Sequence, residues 1–356
     1  MAKELEKRSR SGSLGQLLVP IIALALIAVF NLFRDPSFFS VGMTNDSQGN
    51  PVLTGNLISI LNGASELAII SMGMTLVTAS SKGQDISVGA IAAIAGSVFV
   101  KFLSGGDITG LSVTLGIILC CLVAMLCGAF NGALVAYFNI QPMIATLILY
   151  TTGRSIAYWI NGGATPTVSS PIITAIGGFI PGCPIPTPVF VVIVFGVLFW
   201  LIFRFTNLRL YTQAVGINQD AARLNGINPQ TVKMLTFIVL GLCSAVAGVI
   251  AVSRLSLINH ETILLEIEMD AILAVAIGGN SLAGGKFTVV GSVLGAYAIQ
   301  ALTTTLYAMR VPSTAVKAYK AVVIILIVII GSPVVKDAVN RMMAKRRQKT
   351  AAAKGE

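Results

Sequence analysis

Charge is what this chain has least of. Only 11% of its 356 residues are Asp, Glu, Lys or Arg, against about 25% in an average soluble domain. A water-facing surface needs more than twice that, which excludes an ordinary soluble enzyme and a disordered chain. Histidine is nearly missing. The single His260 is followed by Glu-Thr-Ile-Leu, so the His-Glu-x-x-His pattern fails and no multi-histidine metal site exists. The five cysteines (Cys120, Cys121, Cys127, Cys183 and Cys243) are odd in number and contain no Cys-x-x-Cys pair, which argues against a disulfide framework or a metal centre. A phosphate loop is missing too. In Gly279 to Phe287, Asn280 stands at the first glycine position and Phe287 replaces the Ser/Thr that would hold magnesium. The chain therefore has no nucleotide or cofactor site of its own, and any ATP its work requires is used by another subunit.

What is present is apolar. Hydrophobic residues make up 55%, with 35 glycines and a mean hydropathy of +0.86. A spanning helix takes roughly 20 apolar residues, and apolar segments lie near 14–33, 57–79, 87–104, 111–137, 140–160, 188–205, 232–252, 270–279, 289–307 and 318–335. The eighth is too short to span alone, and the glycine-rich tract 278–285 continues it as irregular backbone, which membranes tolerate only inside protein or along a cavity. The expected fold is all-α: a polytopic transmembrane helical bundle of about ten spans. Ten spans put both termini on one side. With the termini inside, inner segments carry 17 Lys/Arg and outer segments six, so the positive-inside rule makes both termini cytoplasmic. The net charge of +10 then reflects topology and not nucleic acid. The first apolar run resembles a signal peptide but is long for one and lacks an A-x-A site, so it reads as an uncleaved span. The expected organisation is a basic N-tail (1–13), one membrane domain (14–335) with a cytoplasmic loop at 204–231, and a basic C-tail (336–356).

Three connections stand out. The outer segment 161–187 has no charge and five prolines, as in a re-entrant cap or a partner-facing surface. The outer segment 253–270 is acidic, with Glu261, Glu266, Glu268 and Asp270 against Arg254, and reads chiefly as a solvated face. The inner loop 204–231 spells a short helix: Asn218 as N-cap, Asp220 in the first turn, Arg223 in the last, Gly226 past the end and Pro229 beyond. Isolated helices below about 12 residues are marginal in water, and this one lacks the aromatic face of an interfacial helix, so docking into a cytoplasmic partner is expected.

Ionisable residues inside spans are costly and usually functional. Glu66 lies within the second span, on one face with Ser59 and Asn62; that stripe either lines a path or makes an interhelical contact. Arg154 lies about six residues from the outer end of its helix, near enough to snorkel. Asp85, ahead of Ser87 and Gly89, is placed to complement the next helix dipole.

These residues carry a resemblance. Gly73-Met74-Thr75-Leu76-Val77 and Asp85-Ile86-Ser87-Val88-Gly89 resemble permease subunits of bacterial monosaccharide ATP-binding-cassette importers, the ribose, galactose and galactofuranose type. It continues through Gln141-Pro142, Ala145-Thr146-Leu147 and Arg154, then Ala214-Val215-Gly216-Ile217-Asn218 with Ala221-Ala222 and Gly226. Ser244 to Gly248 and Asp270 to Gly285 complete it, so that it covers about 55–330, with the galactofuranose type most similar. The resemblance implies two permease chains in the inner membrane, a cytoplasmic double-cassette ATPase that uses the ATP, and an extracytoplasmic sugar-binding protein. It makes the loop helix a coupling helix, with Gly216, Asn218, Asp220, Ala221, Ala222, Arg223 and Gly226 as contacts. The expected substrate pathway is Asn62, Glu66, Thr75, Asp85, Ser87 and Gly89, with no catalytic or metal residues. Two departures from the family pattern add polarity near it: Lys82-Gly83-Gln84-Asp85 where Gly-Gly-Ile-Asp is common, and Glu66 where relatives usually carry an apolar residue. The competing readings are a branched-chain amino-acid importer permease and an ion-coupled transporter with Glu66 as proton carrier.

Overall fold

The computed structural model describes residues 2–45 and 50–331, with side chains from 17 to 325 apart from that gap; the expected C-tail lies outside them. The order is α1 (Ala2–Arg34), a 3-10 turn (Pro36–Phe39), a hairpin of β1 (Gly42–Asn45) and β2 (Pro51–Thr54), then α2 (Asn56–Gly63), α3 (Ser65–Ser81), α4 (Val88–Leu103), α5 (Gly110–Ala136) and α6 (Pro142–Ile160). There follow α7 (Pro171–Gly177), α8 (Thr187–Phe205), α9 (Leu208–Ile217), α10 (Gln219–Leu224), α11 (Pro229–Leu255), α12 (Ile267–Ile277), α13 (Val289–Ala308) and α14 (Ser313–Gly331). Among the described residues six helices are long and apolar enough to cross a membrane, counting α2 and α3 as one. The shorter α4 and α12, the more polar α6, and α14 fall on the other four expected apolar segments.

Three connections take shape, and one of them corrects an expectation. The connection after α1 pairs Gly42 with Thr54 and Asn45 with Pro51 in an antiparallel hairpin. Ahead of it, the Ser37 amide and hydroxyl both donate to Asp35, holding that carboxyl below its usual range. The second apolar segment breaks at Ala64 into α2 and α3; Ser59 is exposed while Glu66 is buried, so no single polar stripe runs along it. The charge-free segment 161–187 contains α7, whose Gly177 lies so close to the Ser253–Arg254 backbone that a Cβ has no room.

The core repeats one plan twice. Helix α3 ends on Lys82 in the left-handed region, an irregular stretch follows, and α4 and α5 complete the unit. Helix α11 ends on Ser256 in the same conformation, and α12 and α13 complete the second. The units run in opposite directions: Glu66 meets Arg254, Gly73 meets Leu240 and Ser80 meets Thr236, so α3 and α11 are antiparallel at the centre. Each unit's first helix packs on the other's third, α11 on α5 and α3 on α13. Inverted repeats with interrupted helices recur in transporters.

Close approach holds these helices together, as expected where lipid offers no hydrophobic drive for helix pairing. A Cβ on Gly241 would strike the Ala124 carbonyl, and one on Gly128 the Phe237 carbonyl. Both obstacles are backbone and cannot swing aside. Gly241→Ala is therefore expected to cost about 1–3 kcal/mol through overpacking, lowering the melting temperature in detergent. Gly110→Ala, where a Cβ meets nothing within 4 Å, should leave it unchanged.

Candidate functional site

The expected pathway residues fall into three separate groups. At the outer end, Arg254 in the last turn of α11 reaches back to the break between α2 and α3. Its Nη1 lies 3.1 Å from Glu66 Oε1, and its Nη2 donates to the carbonyl and the Oδ1 of Asn62, both at 3.0 Å. Arg254 was expected among outer loop charges; it is instead the partner that makes the buried Glu66 tolerable, and the glutamate is an interhelical contact. In the middle, Thr75 and Ser292 hydroxyls share a hydrogen bond of 2.6 Å, and Asn280 donates to the same Ser292 at 2.7 Å. Thr75 thus ties α3 to α13 and to the glycine-rich turn after α12.

The third group sits where α4 begins. The Ser87 amide and hydroxyl donate to Asp85 Oδ1 at 2.7 and 2.6 Å, the turn already seen at Asp35 and Ser37. Here it is buried, and Asn131 of α5 donates to Ser87 Oγ at 2.8 Å and to Asp85 Oδ2 at 3.3 Å. Gly89, one residue into α4, faces the Glu268 carboxylate: a Cβ there would come within 2.6 Å of Glu268 Oε2 and 2.8 Å of the Leu264 carbonyl. Glu268 is 1% exposed, and its Oε2 has no hydrogen-bond partner among the described residues. A carboxylate there complements the positive end of α4.

Arg154 also departs from expectation. It does not snorkel outward; its Nη1 donates to the carbonyls of His260, Glu261 and Ile263 at 2.8–3.2 Å, clamping the stretch before α12. The acidic segment is likewise not a simple solvated face. Glu268 is buried, Asp270 takes Lys320 Nζ at 2.7 Å and Glu266 takes Lys317 at 2.7 Å. Sequence reading missed Arg254, Glu268, Asn131 and Ser292. For Asn131 the signal was available, since it is the one asparagine in the 27 otherwise apolar or small residues of α5. No three His, Cys, Asp or Glu among the described residues converge as metal ligands.

The cytoplasmic elbow forms a second candidate site. Asn218 Oδ1 accepts from the Asp220 and Ala221 amides at 3.0 Å, capping α10 as its sequence implies. Gly226 has φ +77°, the left-handed conformation that ends a helix on glycine. Ala222 turns inward onto Val215 and Val232, while Asp220, Ala221, Arg223 and Gly226 are exposed and Leu224 is 89% exposed. Gly216 presses on the backbones of Ala79 and Gly285, fixing α9, an element the sequence reading did not foresee, to both repeats.

Residues 56–331 match a family described as the permease component of the branched-chain amino acid transport system. The chain belongs to this permease family. It is 37% identical over 316 residues to the galactofuranose transporter permease protein YtfT of Escherichia coli K12, covering 88% of each chain. It is 34% identical to the fructose import permease protein FruF of Bifidobacterium longum, over 93% of this chain and 92% of that one. The ribose import permease protein RbsC of Escherichia coli K12 is also 34% identical, over 88% and 92%. No solved structure matches the permease significantly.

The outer pair yields a test of its own. Removing one partner of a buried pair costs roughly 3–5 kcal/mol, so Arg254→Ala should lower the permease's melting temperature sharply. Glu66→Gln, which keeps a neutral hydrogen-bonding group, should cost less, and the double variant R254A/E66Q should recover part of the R254A loss in a thermal shift assay.

Proposed function

We propose that this permease is the membrane subunit of an ATP-binding-cassette importer for a monosaccharide. It works as a dimer by alternating access, with a separate double-cassette ATPase supplying the energy and an extracytoplasmic binding protein delivering the sugar. One observation carries the reading: relatives named as galactofuranose, fructose and ribose permeases match about nine-tenths of the chain. The fold is compatible with both termini and the α9–α10 elbow on the cytoplasmic face of about ten spans. The elbow presents a capped helix with a bare leucine at its tip, a shape suited to a cleft in another protein.

In this reading the ATPase moves α10, and Gly216 passes the displacement to Ala79 and to the turn at Gly285, where the two repeats meet. Asn62 at the end of α2, Glu66 and Thr75 on α3, and Asp85 and Ser87 ahead of α4 supply hydroxyl-bonding groups to the passage as the gates part, and Gly89 leaves room beside them. A sugar calls for such groups in a mostly apolar setting.

Proteoliposomes with the ATPase and binding protein should accumulate labelled galactofuranose, fructose or ribose only when ATP is supplied. Uptake driven by a proton gradient without the ATPase would overturn the reading. Leu224→Asp should reduce co-purification of the ATPase at least tenfold and uptake in proportion, with no loss of thermal stability, because Leu224 is 89% exposed. Gly226→Val should also weaken co-purification, here with some loss of thermal stability, by straining the left-handed turn, which costs a residue with a Cβ roughly 1–2 kcal/mol.

A further inference from the structure

A cavity of about 650 Å³ opens between α8 and α13, lined by none of the expected pathway or coupling residues. Its size is that of a small-molecule site. On α8, Ile193, Gly196, Trp200 and Arg204 recur at intervals of three and four and so lie on one face. On α13, Val290, Val293 and Tyr297 face them, and Met72 of α3 forms part of the floor. Phe203 stacks edge-on against Phe199 and Phe287 at 6.0 and 5.9 Å, giving an aromatic wall that is already fixed. Arg204, in the last turn of α8, and Arg209, near the start of α9, both line its α9 end. Both are exposed, and neither makes an ion pair among the described residues.

The chemistry is that of an amphiphile with an anionic head. The wall is too apolar for a sugar, which would leave its hydroxyls unpaired. Two unpaired guanidiniums at the mouth of an apolar slot between membrane helices select a phosphate attached to hydrocarbon, and Arg is the side chain suited to phosphate. We propose that this groove binds an anionic phospholipid, its acyl chain lying along Gly196 and Val293 and its phosphate held by Arg204 and Arg209. With the orientation put forward above, the site belongs to the cytoplasmic leaflet, where basic pockets between helices recruit such lipids. Arg209 is the second residue of α9, so the bound headgroup would brace the segment that carries the coupling helix.

Native mass spectrometry of the purified full chain, with phosphatidylglycerol and phosphatidylcholine of identical acyl chains, tests this. Wild type should retain phosphatidylglycerol about 30-fold more strongly, which is about 2 kcal/mol for two arginines. R204Q/R209Q should lose that preference. Gly196→Phe, which enters space where a Cβ meets nothing within 4 Å, should lower retention of both lipids with the arginines intact. Equal retention of the two lipids by wild type, or an unchanged preference in R204Q/R209Q, overturns the proposal. So does full retention in Gly196→Phe, which would reduce the effect to surface charge. A disulfide-linked dimer formed in high yield by Ile193→Cys would assign the groove to a second copy of the chain and overturn it too. A reversed orientation would move the site to the other leaflet without altering retention, so the two failures are distinguishable.

Discussion

A buried polar group in a bilayer core has no water to turn to, and must find its partner inside the protein. In this permease that requirement fixes the central packing. Along α3 the partners come in sequence: Glu66 with Arg254, Thr75 with Ser292, Ser80 with Thr236. The first and third lock α3 to α11 at opposite ends, and the second locks it to α13. Because the pairs are distributed along the helix, sliding α3 by one turn would break all of them together. Register along this helix is set by polar satisfaction, and its closeness to α11 by the small residues between the pairs.

The same requirement explains why the two helix interruptions are placed as they are. Each left-handed turn, at Lys82 and at Ser256, releases a stretch of chain whose backbone groups need new partners. After Lys82 they come from Thr146, which accepts from the Ile86 amide, and from Asp85, which accepts from Ser87. After Ser256 they come from Arg154, whose guanidinium takes three carbonyls of the stretch 260–263. Glu268 and Arg154 both close on the same side of Gly89, so opposite charges gather where the start of α4 meets the start of α12. A conformational change that separates the repeats has to part this contact, the Thr75–Ser292 pair and the Glu66–Arg254 pair. All three are polar and short-ranged, and such contacts exchange partners more readily than an interlocked apolar seam.

Much of this was legible in the sequence wherever the governing physics is local. Ten apolar segments announce themselves because a membrane helix must be apolar over its whole length. Helix α10 was readable to the residue, since Asn218 and Gly226 act on amides and torsions within three or four positions. The Asp-x-Ser turn is equally local, and folds the same way at Asp35 and at Asp85 although one is exposed and the other buried. What stayed hidden depends on distant partners. Nothing near Glu66 signals that Arg254 closes on it, and the acidic run that buries Glu268 reads, residue by residue, as solvent-exposed. Helix α9 escaped notice because its amphipathic face is completed only when Gly216 meets Ala79 and Gly285.

The scarcity of charge acquires a different meaning in this light. Of the charges that do enter the helices, Glu66, Arg254, Arg154, Asp270 and Lys320 lie against opposite charges or backbone carbonyls, and none converges with others as a reactive centre. The charges without partners among the described residues stand elsewhere, and Arg204 and Arg209 do so at the mouth of an apolar groove. Paired charges define the internal architecture, where an unpaired one would be destabilising by several kcal/mol. Unpaired charges persist only where something outside the chain, whether water, a headgroup or another subunit, satisfies them. In a chain with so few, the unpaired ones therefore mark where the permease meets what surrounds it.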